Sequence, residues 1–189
     1  GTFFEMGCFS MYPAKVMTAG EGGFIVTNNK KLRDKLLMIR NHGMLKGYDT
    51  RLLGLNLRLP EINAAIATVQ MKKLPKFLKT RQKNAKLLSK LLSKSNLDLP
   101  LERKNENVNW YLYTVTTPKR NMLLKKLNAK GIGAASYYPI PVHKTPFYKS
   151  KTKLPITDWA ASNVLSLPIH PKVTTKNIEF IAKTISEIL

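Results

Sequence analysis

Residues 8–23 read CFSMYPAKVMTAGEGG, and this stretch is the most informative part of the sequence for fold and function. A short apolar run, Met6 to Ser10, leads into it, and a glycine-rich turn and a β-branched segment at 24–27 follow it. Lys15 is therefore predicted to lie in a loop between two short strands. A lysine held by packed strands can be partly desolvated, and its neutral amine can then attack a carbonyl carbon to form a Schiff base. The glycine turn is not a Walker loop, because no Gly-Lys-Ser/Thr follows it.

The rest of the chain predicts a mixture of helices and strands. Apolar spacing, turn residues and capping residues place Pro60 at the start of a helix that Pro75 interrupts, after which a second helix begins. A polar stretch at 93–109 is interpreted as a long loop, with a break in the chain near 94–107. The remaining expected elements are a helix from Lys30 to Asn41 that stops at Gly43, a strand at 110–116, a helix at 123–130, a strand at 134–138, a short helix capped by Asp158, a strand at 165–167 and a helix at 174–189.

Composition and charge narrow the classes of function. The chain has 189 residues, of which 43% are hydrophobic, as in a packed globular protein, and no apolar run is long enough to span a membrane. Its net charge of +21 favours an anionic partner, which could be nucleic acid, a membrane surface or a phosphorylated small molecule. Cys8 is the single cysteine, so no internal disulfide forms and a reducing, cytoplasmic setting fits. We expect Cys8 to be a small buried residue.

Residues 72–104 are strongly basic, with eleven lysines and arginines against Asp98 and Glu102. One interpretation is a helical stripe that binds nucleic acid, and the other is the solvated face of an amphipathic helix. Phe77 is the sole aromatic residue on the helix, which disfavours stacking on single strands, so the solvated face is the preferred interpretation. The three histidines, His42, His143 and His170, have spacings that suit no metal site, and we expect no metal.

Five ordered motifs resemble a known family. The stretch around Lys15 resembles the lysine signature of the DegT/DnrJ/StrS family of pyridoxal-phosphate-dependent aminotransferases, which act mostly on nucleotide-linked keto sugars. Four further segments resemble that family in its order and spacing: RNHGM at 40–44, GLNLRLPEINAA at 54–65, YPIPVH at 138–143 and LSLPIHP at 165–171. The resemblance covers nearly all 189 residues. It implies pyridoxal 5'-phosphate as the cofactor.

The resemblance assigns roles residue by residue. Lys15 matches the catalytic lysine, which forms the Schiff base with the cofactor and shuttles the proton between substrate and cofactor carbons. Ser10 matches a contact to the cofactor phosphate. Asn56 matches an asparagine that reaches the cofactor phosphate of the neighbouring subunit, which implies a homodimer with shared sites. Positions near the substrate are matched by His42, Arg58, Tyr138 and His143.

The resemblance also implies an architecture. The expected fold is α/β, comprising the C-terminal part of a fold-type I large domain and a small α+β C-terminal domain. Residues 1–75 would be the remnant of the cofactor-binding large domain, and residues 76–189 the connecting helix and small domain. Family members are roughly twice as long, and their N-terminal half supplies an aspartate paired with the ring nitrogen. Because only 14 residues precede Lys15, we expect a fragment with weak or no activity on its own.

The implied function is transfer of an amino group from glutamate or glutamine to a nucleotide-linked keto sugar, in sugar or polysaccharide biosynthesis. The positive charge suits such a substrate. We expect neither a membrane nor a nucleic acid as partner. The alternative is a non-catalytic basic interaction protein, either a nucleic-acid binder or a degenerate subunit.

Overall fold

The computed structural model describes residues 3–189. These residues form two compact units, which divide between Pro75 and Lys76. Helices and strands are mixed, as the sequence predicted. That the first unit is a remnant of a cofactor-binding domain stays a prediction. The elements in chain order are β1 Gly7–Ser10, β2 Gly23–Val26, α1 Lys30–Arg40, α2 Glu61–Leu92, β3 Tyr113–Thr116, α3 Arg120–Ala129, a 3₁₀ turn Val142–Lys144, α4 Pro155–Asn163, β4 Val164–Leu167 and α5 Thr175–Ile188.

The first unit contains one small antiparallel sheet and a capped helix. Strands β1 and β2 pair with Gly7 opposite Val26 and Ser10 opposite Gly23. The Asn29 side chain accepts a hydrogen bond from the backbone N of Leu32 at 3.2 Å, which caps α1 and fixes where it begins. Among residues 3–75, the buried apolar side chains are Met11 and Ala19. This unit therefore has very little core of its own.

Helix α2 passes through Pro75 without a break, so the predicted interruption was wrong. It begins at Glu61, directly after Pro60, whose carbonyl accepts a hydrogen bond from the N of Ala64. An internal proline removes one backbone hydrogen bond and crowds the preceding turn, at a cost of about 3 kcal/mol. Burial of Ala85, Leu88 and Leu92 on the C-terminal part of the same helix offsets that cost.

The second unit has the hydrophobic core. Strands β3 and β4 pair antiparallel, with Tyr113 opposite Leu167, and inward side chains from both strands meet the apolar faces of α2, α3 and α5. The phenol of Tyr113 shares a 2.8 Å hydrogen bond with Ser89, and burial raises its pKa. Helix α5 begins in a capping box, in which Thr174 and Asn177 bond each other's backbone N–H.

Strand β3 is shorter than the predicted strand 110–116, because buried Arg81 holds the preceding backbone. One guanidinium nitrogen donates to the carbonyls of Trp110 and Tyr111, both at 3.0 Å. Trp110 has a φ of +49° and lies outside the strand, although its side chain is buried in the core. Three residues further along α2, Asn84 donates to the carbonyls of Ile169 and Val173. Arg81 and Asn84 on α2 thus hold two loops, the one that precedes β3 and the one that follows β4.

Replacing Arg81 with methionine is expected to destabilise the second unit by about 3 kcal/mol, because one buried and one partly buried hydrogen bond to backbone carbonyls lose their charged donor. Methionine fills similar space, so lost packing contributes little. Urea unfolding followed by circular dichroism measures the effect, and Arg103→Met, on a side chain that is 84% exposed, is the matched control. Equal midpoints for the two variants would contradict the role given to Arg81.

Other predicted boundaries also differ. The strand expected at 134–138 is a single bridge between Ala135 and Ser166, because Pro139 cannot donate to a ladder and restricts the residue before it. Asp158 lies in the first turn of α4 rather than at its cap, which is Leu154. The loop at 93–109 lies within the second unit and Asp98 pairs with Thr116, so the break expected near 94–107 was wrong.

None of the described helices combines the length and apolarity needed to cross a bilayer.

Candidate functional site

Lys15 lies in the loop between β1 and β2, as the sequence predicted. Its backbone N donates to the carbonyl of Tyr12 at 2.9 Å, and the N of Tyr12 donates to the Ser10 hydroxyl oxygen at 3.2 Å. Ser10 and Lys15 are thus tied to the backbone of the same residue. A hydroxyl oxygen that accepts can still donate its own hydrogen, so Ser10 retains a donor for an anionic oxygen.

The loop is anchored by buried Met11. Its N donates to the carbonyl of Gly22 at 2.9 Å, and its carbonyl accepts from the N of Ala19 and the hydroxyl of Thr18. These bonds close the loop into a compact turn that returns the chain to β2. The loop is therefore held by its hydrogen bonds to the backbone of Met11.

Two expectations about exposure were wrong. Lys15 is exposed rather than partly desolvated, and Cys8 is exposed rather than buried. The cause is shared: strands β1 and β2 form a two-stranded sheet within a unit that has almost no core. Strand β2 is exposed along its whole length. Packed strands were the condition for desolvation, and the described residues do not supply that packing.

A second cluster joins the segments 40–44 and 54–60. Asn41 forms a β-bridge with Asn56, and its side-chain oxygen accepts a 2.6 Å hydrogen bond from Arg58. The N of His42 donates to the carbonyl of Leu55 at 3.0 Å. Three residues predicted to face cofactor or substrate, His42, Asn56 and Arg58, are therefore brought together. Asn41 was not predicted, although its place beside His42 in the quoted motif could have indicated it.

Asn63, in the first turn of α2, is another residue that the sequence reasoning missed. Its side-chain nitrogen donates to the carbonyl of Ala19 at 2.7 Å and to that of Glu21 at 3.3 Å. It thereby fixes the glycine turn to the helix that follows Arg58 and Pro60. An amide side chain just inside a helix is a weak signal on its own, because its partners are more than forty residues away.

Replacing Asn63 with leucine is expected to loosen the glycine turn by about 1–2 kcal/mol, because two loop carbonyls lose their donor. Hydrogen exchange at the amides of Met11 and Ala19, which donate within the loop, is read by mass spectrometry and should accelerate by roughly tenfold. The matched control is Gln70→Leu on the same helix. Unchanged exchange at these amides would show that Met11 alone holds the loop.

Tyr138 and His143 lie in the second unit. Tyr138 is 74% exposed, whereas the His143 side chain is only 13% exposed. The Nε2 atom of His143 lies 3.5 Å from Oδ1 of Asp158, and Nζ of Lys144 lies 2.8 Å from the same oxygen. Asp158 sits in the first turn of α4, where the helix dipole favours a negative charge. The carboxylate therefore lies close to both the His143 imidazole and the Lys144 ammonium at one end of α4.

His170 lies in a positive environment in the same unit. Burial lowers the pKa of its imidazole, and the neighbouring charges of Arg81 and Lys172 lower it further. The imidazole is thus neutral at pH 7 and serves as a donor or acceptor rather than as a cation. No group of three histidine, cysteine or carboxylate side chains placed to hold a metal occurs within residues 3–189.

The groups present fit part of a pyridoxal phosphate site. Lys15 offers an exposed primary amine, Ser10 a hydroxyl in the same turn, and Asn56 an exposed amide in the second cluster. An amine and a phosphate-binding donor are two of the requirements for holding this cofactor. A carboxylate for the ring nitrogen is not among the residues assigned.

Comparison with known proteins places these features in a family. The sequence profile of the DegT/DnrJ/EryC1/StrS aminotransferase family matches residues 1–186. A UDP-N-acetyl-3-dehydro-alpha-D-glucosamine 3-aminotransferase of Acidithiobacillus ferrooxidans is 33% identical over 192 aligned residues, covering 100% of this chain and 52% of that protein. A dTDP-3-amino-3,4,6-trideoxy-alpha-D-glucose transaminase of Streptomyces venezuelae is 35% identical, covering 88% and 46%.

A solved structure agrees with the sequence relatives. The crystal structure of S. venezuelae DesV in complex with a ketimine intermediate superposes with a TM-score of 0.92 at 31% identity, covering 96% of this chain and 51% of that one. The chain spans about half the length of the curated relatives it matches. The expected fold class is confirmed, and so is the family resemblance. On its sequence and its backbone, the chain belongs to the DegT/DnrJ/EryC1/StrS aminotransferase family.

Proposed function

We propose that the chain is the lysine-bearing half of a pyridoxal-phosphate-dependent aminotransferase that acts on a nucleotide-linked keto sugar. The observation that carries the proposal is the turn in which Lys15 and Ser10 are tied to the same backbone residue, in a chain of this family. The UDP- and dTDP-linked sugars in the names of two relatives support the substrate class. Glutamate or glutamine is the proposed amino donor, and sugar or polysaccharide biosynthesis the proposed setting.

Within this proposal, Lys15, Ser10 and Asn56 of the first unit each have a task at the cofactor. Pyridoxal phosphate, when bound, supplies an electron sink for the carbon that gains or loses the amino group. The Lys15 amine binds the cofactor covalently and moves a proton at the substrate carbon. The Ser10 hydroxyl donates to the phosphate. Asn56 reaches the phosphate held by a neighbouring subunit, which makes the proposed assembly a homodimer.

The substrate is recognised by the remaining assigned residues. Arg58, held by its 2.6 Å bond to Asn41, and His42 in the adjoining turn provide positive or polar groups in the first unit. Tyr138 and His143, which lie in the second unit, are proposed as substrate-binding residues on the family resemblance alone. The net charge of +21 favours a nucleotide diphosphate electrostatically. A cytoplasmic location is proposed from the single cysteine and the biosynthetic relatives.

Cofactor trapping tests the proposal. The chain is mixed with pyridoxal phosphate, reduced with borohydride and digested, and the label is located by mass. A label concentrated on the peptide that contains Lys15 is expected. Label distributed over the exposed lysines without preference would contradict a formed half-site.

We expect little or no turnover of a keto sugar with glutamate by the chain alone, so substantial turnover would contradict the half-site interpretation.

A further inference from the structure

The segment 136–144 of the second unit is connected to helix α4 near both of its ends. At its start, one guanidinium nitrogen of buried Arg120 donates to the Ser136 hydroxyl oxygen, and another donates to the carbonyl of Ala161 on α4 at 2.9 Å. At its end, the 3₁₀ turn lies against the carboxylate of Asp158 in the first turn of the same helix. The connection at the start is thus made through Arg120, and the one at the end is direct.

The imidazole of His143 is largely enclosed, although it belongs to an exposed turn. Its side chain is 13% exposed, whereas the preceding Val142 is 66% exposed. The Nε2 atom is buried, and no group within residues 3–189 accepts a hydrogen bond from it. Oδ1 of Asp158, which is also buried, lies 3.5 Å away. The other ring nitrogen, Nδ1, is not enclosed in this way.

The carboxylate of Asp158 favours one arrangement of the His143 ring. A neutral imidazole has one N–H donor and one nitrogen that accepts through its lone pair. A lone pair on Nε2 would face the carboxylate oxygen, and two acceptors repel each other strongly where water is excluded. A hydrogen on Nε2 would meet an acceptor, and a movement of about 0.5 Å would complete a normal N–H···O bond. The lone pair then lies on Nδ1.

Lys144 and the helix end support a negative charge at this place. Nζ of Lys144 lies 2.8 Å from the same Oδ1, and the carboxylate lies where the α4 dipole favours an anion. Neither group accepts a hydrogen bond from Nε2. A carboxylate beside one ring nitrogen commonly fixes the tautomer and the orientation of the whole imidazole. The competing explanation is that Asp158 only pairs with Lys144 and stabilises the end of α4.

We propose that Asp158 is a positioning residue for His143. Its carboxylate accepts the hydrogen of Nε2, and this turns Nδ1 outward as a hydrogen-bond acceptor. The substrate group that suits Nδ1 is a hydroxyl or N–H of the sugar, and not a phosphate oxygen, which is itself an acceptor. This substrate step rests on the proposed function, in which His143 binds substrate. The contact between Asp158 and His143 does not.

Nitrogen-15 NMR of the full chain tests the contact. The sequence has three histidines, and the spectrum of His143→Gln identifies the signals of His143. At the alkaline plateau of a pH titration, we expect Nε2 to carry the hydrogen, which exchanges with water slowly enough to be detected. In Asp158→Ala, this exchange should accelerate at least about tenfold, with loss of the signal. A hydrogen on Nδ1, or an Nε2–H signal unchanged in Asp158→Ala, would overturn the proposal.

Three further variants separate positioning from stabilisation of the helix end. Asp158→Glu retains a carboxylate and should keep the Nε2–H signal. Lys144→Met removes the other partner of Oδ1 and should also keep it. Glu179→Ala removes an exposed acid from α5 of the same unit and is the matched control. Loss of the signal in Lys144→Met would show that the ion pair at the helix end protects the nitrogen, and it would overturn the proposal.

UDP-N-acetylglucosamine and inorganic phosphate test the substrate step. The Nδ1 resonance should shift when the nucleotide sugar is added and should not shift with phosphate alone, and Asp158→Ala should lose the response. A response to phosphate alone, or none to the sugar, would overturn the substrate step. Borohydride labelling of Lys15, measured on the same samples, should be equal in the wild type and in Asp158→Ala. Failure of the proposed function is thereby recognised separately, as loss of the Lys15 label in both.

Discussion

Replacing Lys15 with arginine is expected to remove site-specific labelling by pyridoxal phosphate and borohydride completely. Arginine preserves the positive charge, so any electrostatic attraction of the cofactor phosphate is retained. Its guanidinium stays protonated and offers no nucleophilic amine. The variant thus separates covalent chemistry from charge, which an alanine substitution would not do.

The same variant should leave the fold unchanged. The loop is held by the backbone of Met11 and Tyr12 and by the side chain of Asn63, while Lys15 is exposed. Surface substitutions of this kind alter stability by about 0.5 kcal/mol or less. Lys46→Arg, at another exposed loop position of the same unit, is the matched control and should retain the label on Lys15. If Lys15→Arg retained total labelling at the wild-type level, no preferred lysine would exist and the alternative of a non-catalytic interaction protein would gain support.

Replacing Gly54 with alanine is expected to open the second cluster. A methyl group at this position would overlap the backbone N of Gly43 and lie 2.7 Å from the carbonyl carbon of His42. Both neighbours are backbone atoms, which cannot rotate aside. Gly43 is constrained as well, because it has a φ of +74° and a methyl group added there would overlap the carbonyl oxygen of Leu52. The close approach of these two glycines is what places His42 beside Leu55.

The expected cost is about 3 kcal/mol or more, because relief requires the two segments to separate. Separation breaks the bonds that the N of His42 and the N of Leu57 make to the carbonyls of Leu55 and Arg40. Hydrogen exchange at these amides should accelerate about a hundredfold. Gly47→Ala is the control in the same loop, since it has a φ of +55° but no atom within 4 Å of an added methyl. It should cost about 1 kcal/mol from backbone strain alone. Similar exchange in both variants would refute the close-approach argument.

Local sequence signals predicted the regular elements best where one short stretch contains all the information. The β-branched run after the glycine turn, the capped terminal helix and the loop position of Lys15 are of this kind. Signals failed where a distant residue decided the outcome. The hydrogen bond from Arg81 keeps Trp110 outside β3, and these two residues are 29 positions apart. The packing of Leu88 and Leu92 makes Pro75 tolerable within α2, and these leucines lie more than ten positions after the proline.

The candidate site divides in the same way. The residues assigned from the motifs remain predictions as site residues, and the structure adds the groups that hold them: Asn41 to Arg58, Asn63 to the glycine turn, and Asp158 to His143. These supporting contacts connect positions 17, 44 and 15 residues apart, respectively. Spacing along the chain therefore contained no direct sign of them.

The sequence alone determined the family, most of the regular elements and the positions that could do chemistry, because motifs and periodicity are local properties. Tertiary structure decided which of these positions meet, that Lys15 and Cys8 are exposed, and that the first unit lacks a core. Burial depends on how much surface distant segments remove from water. In the first unit, the β1–β2 hairpin, α1 and residues 57–60 leave a cavity of about 770 Å³ open between them, so little of their surface is removed from water.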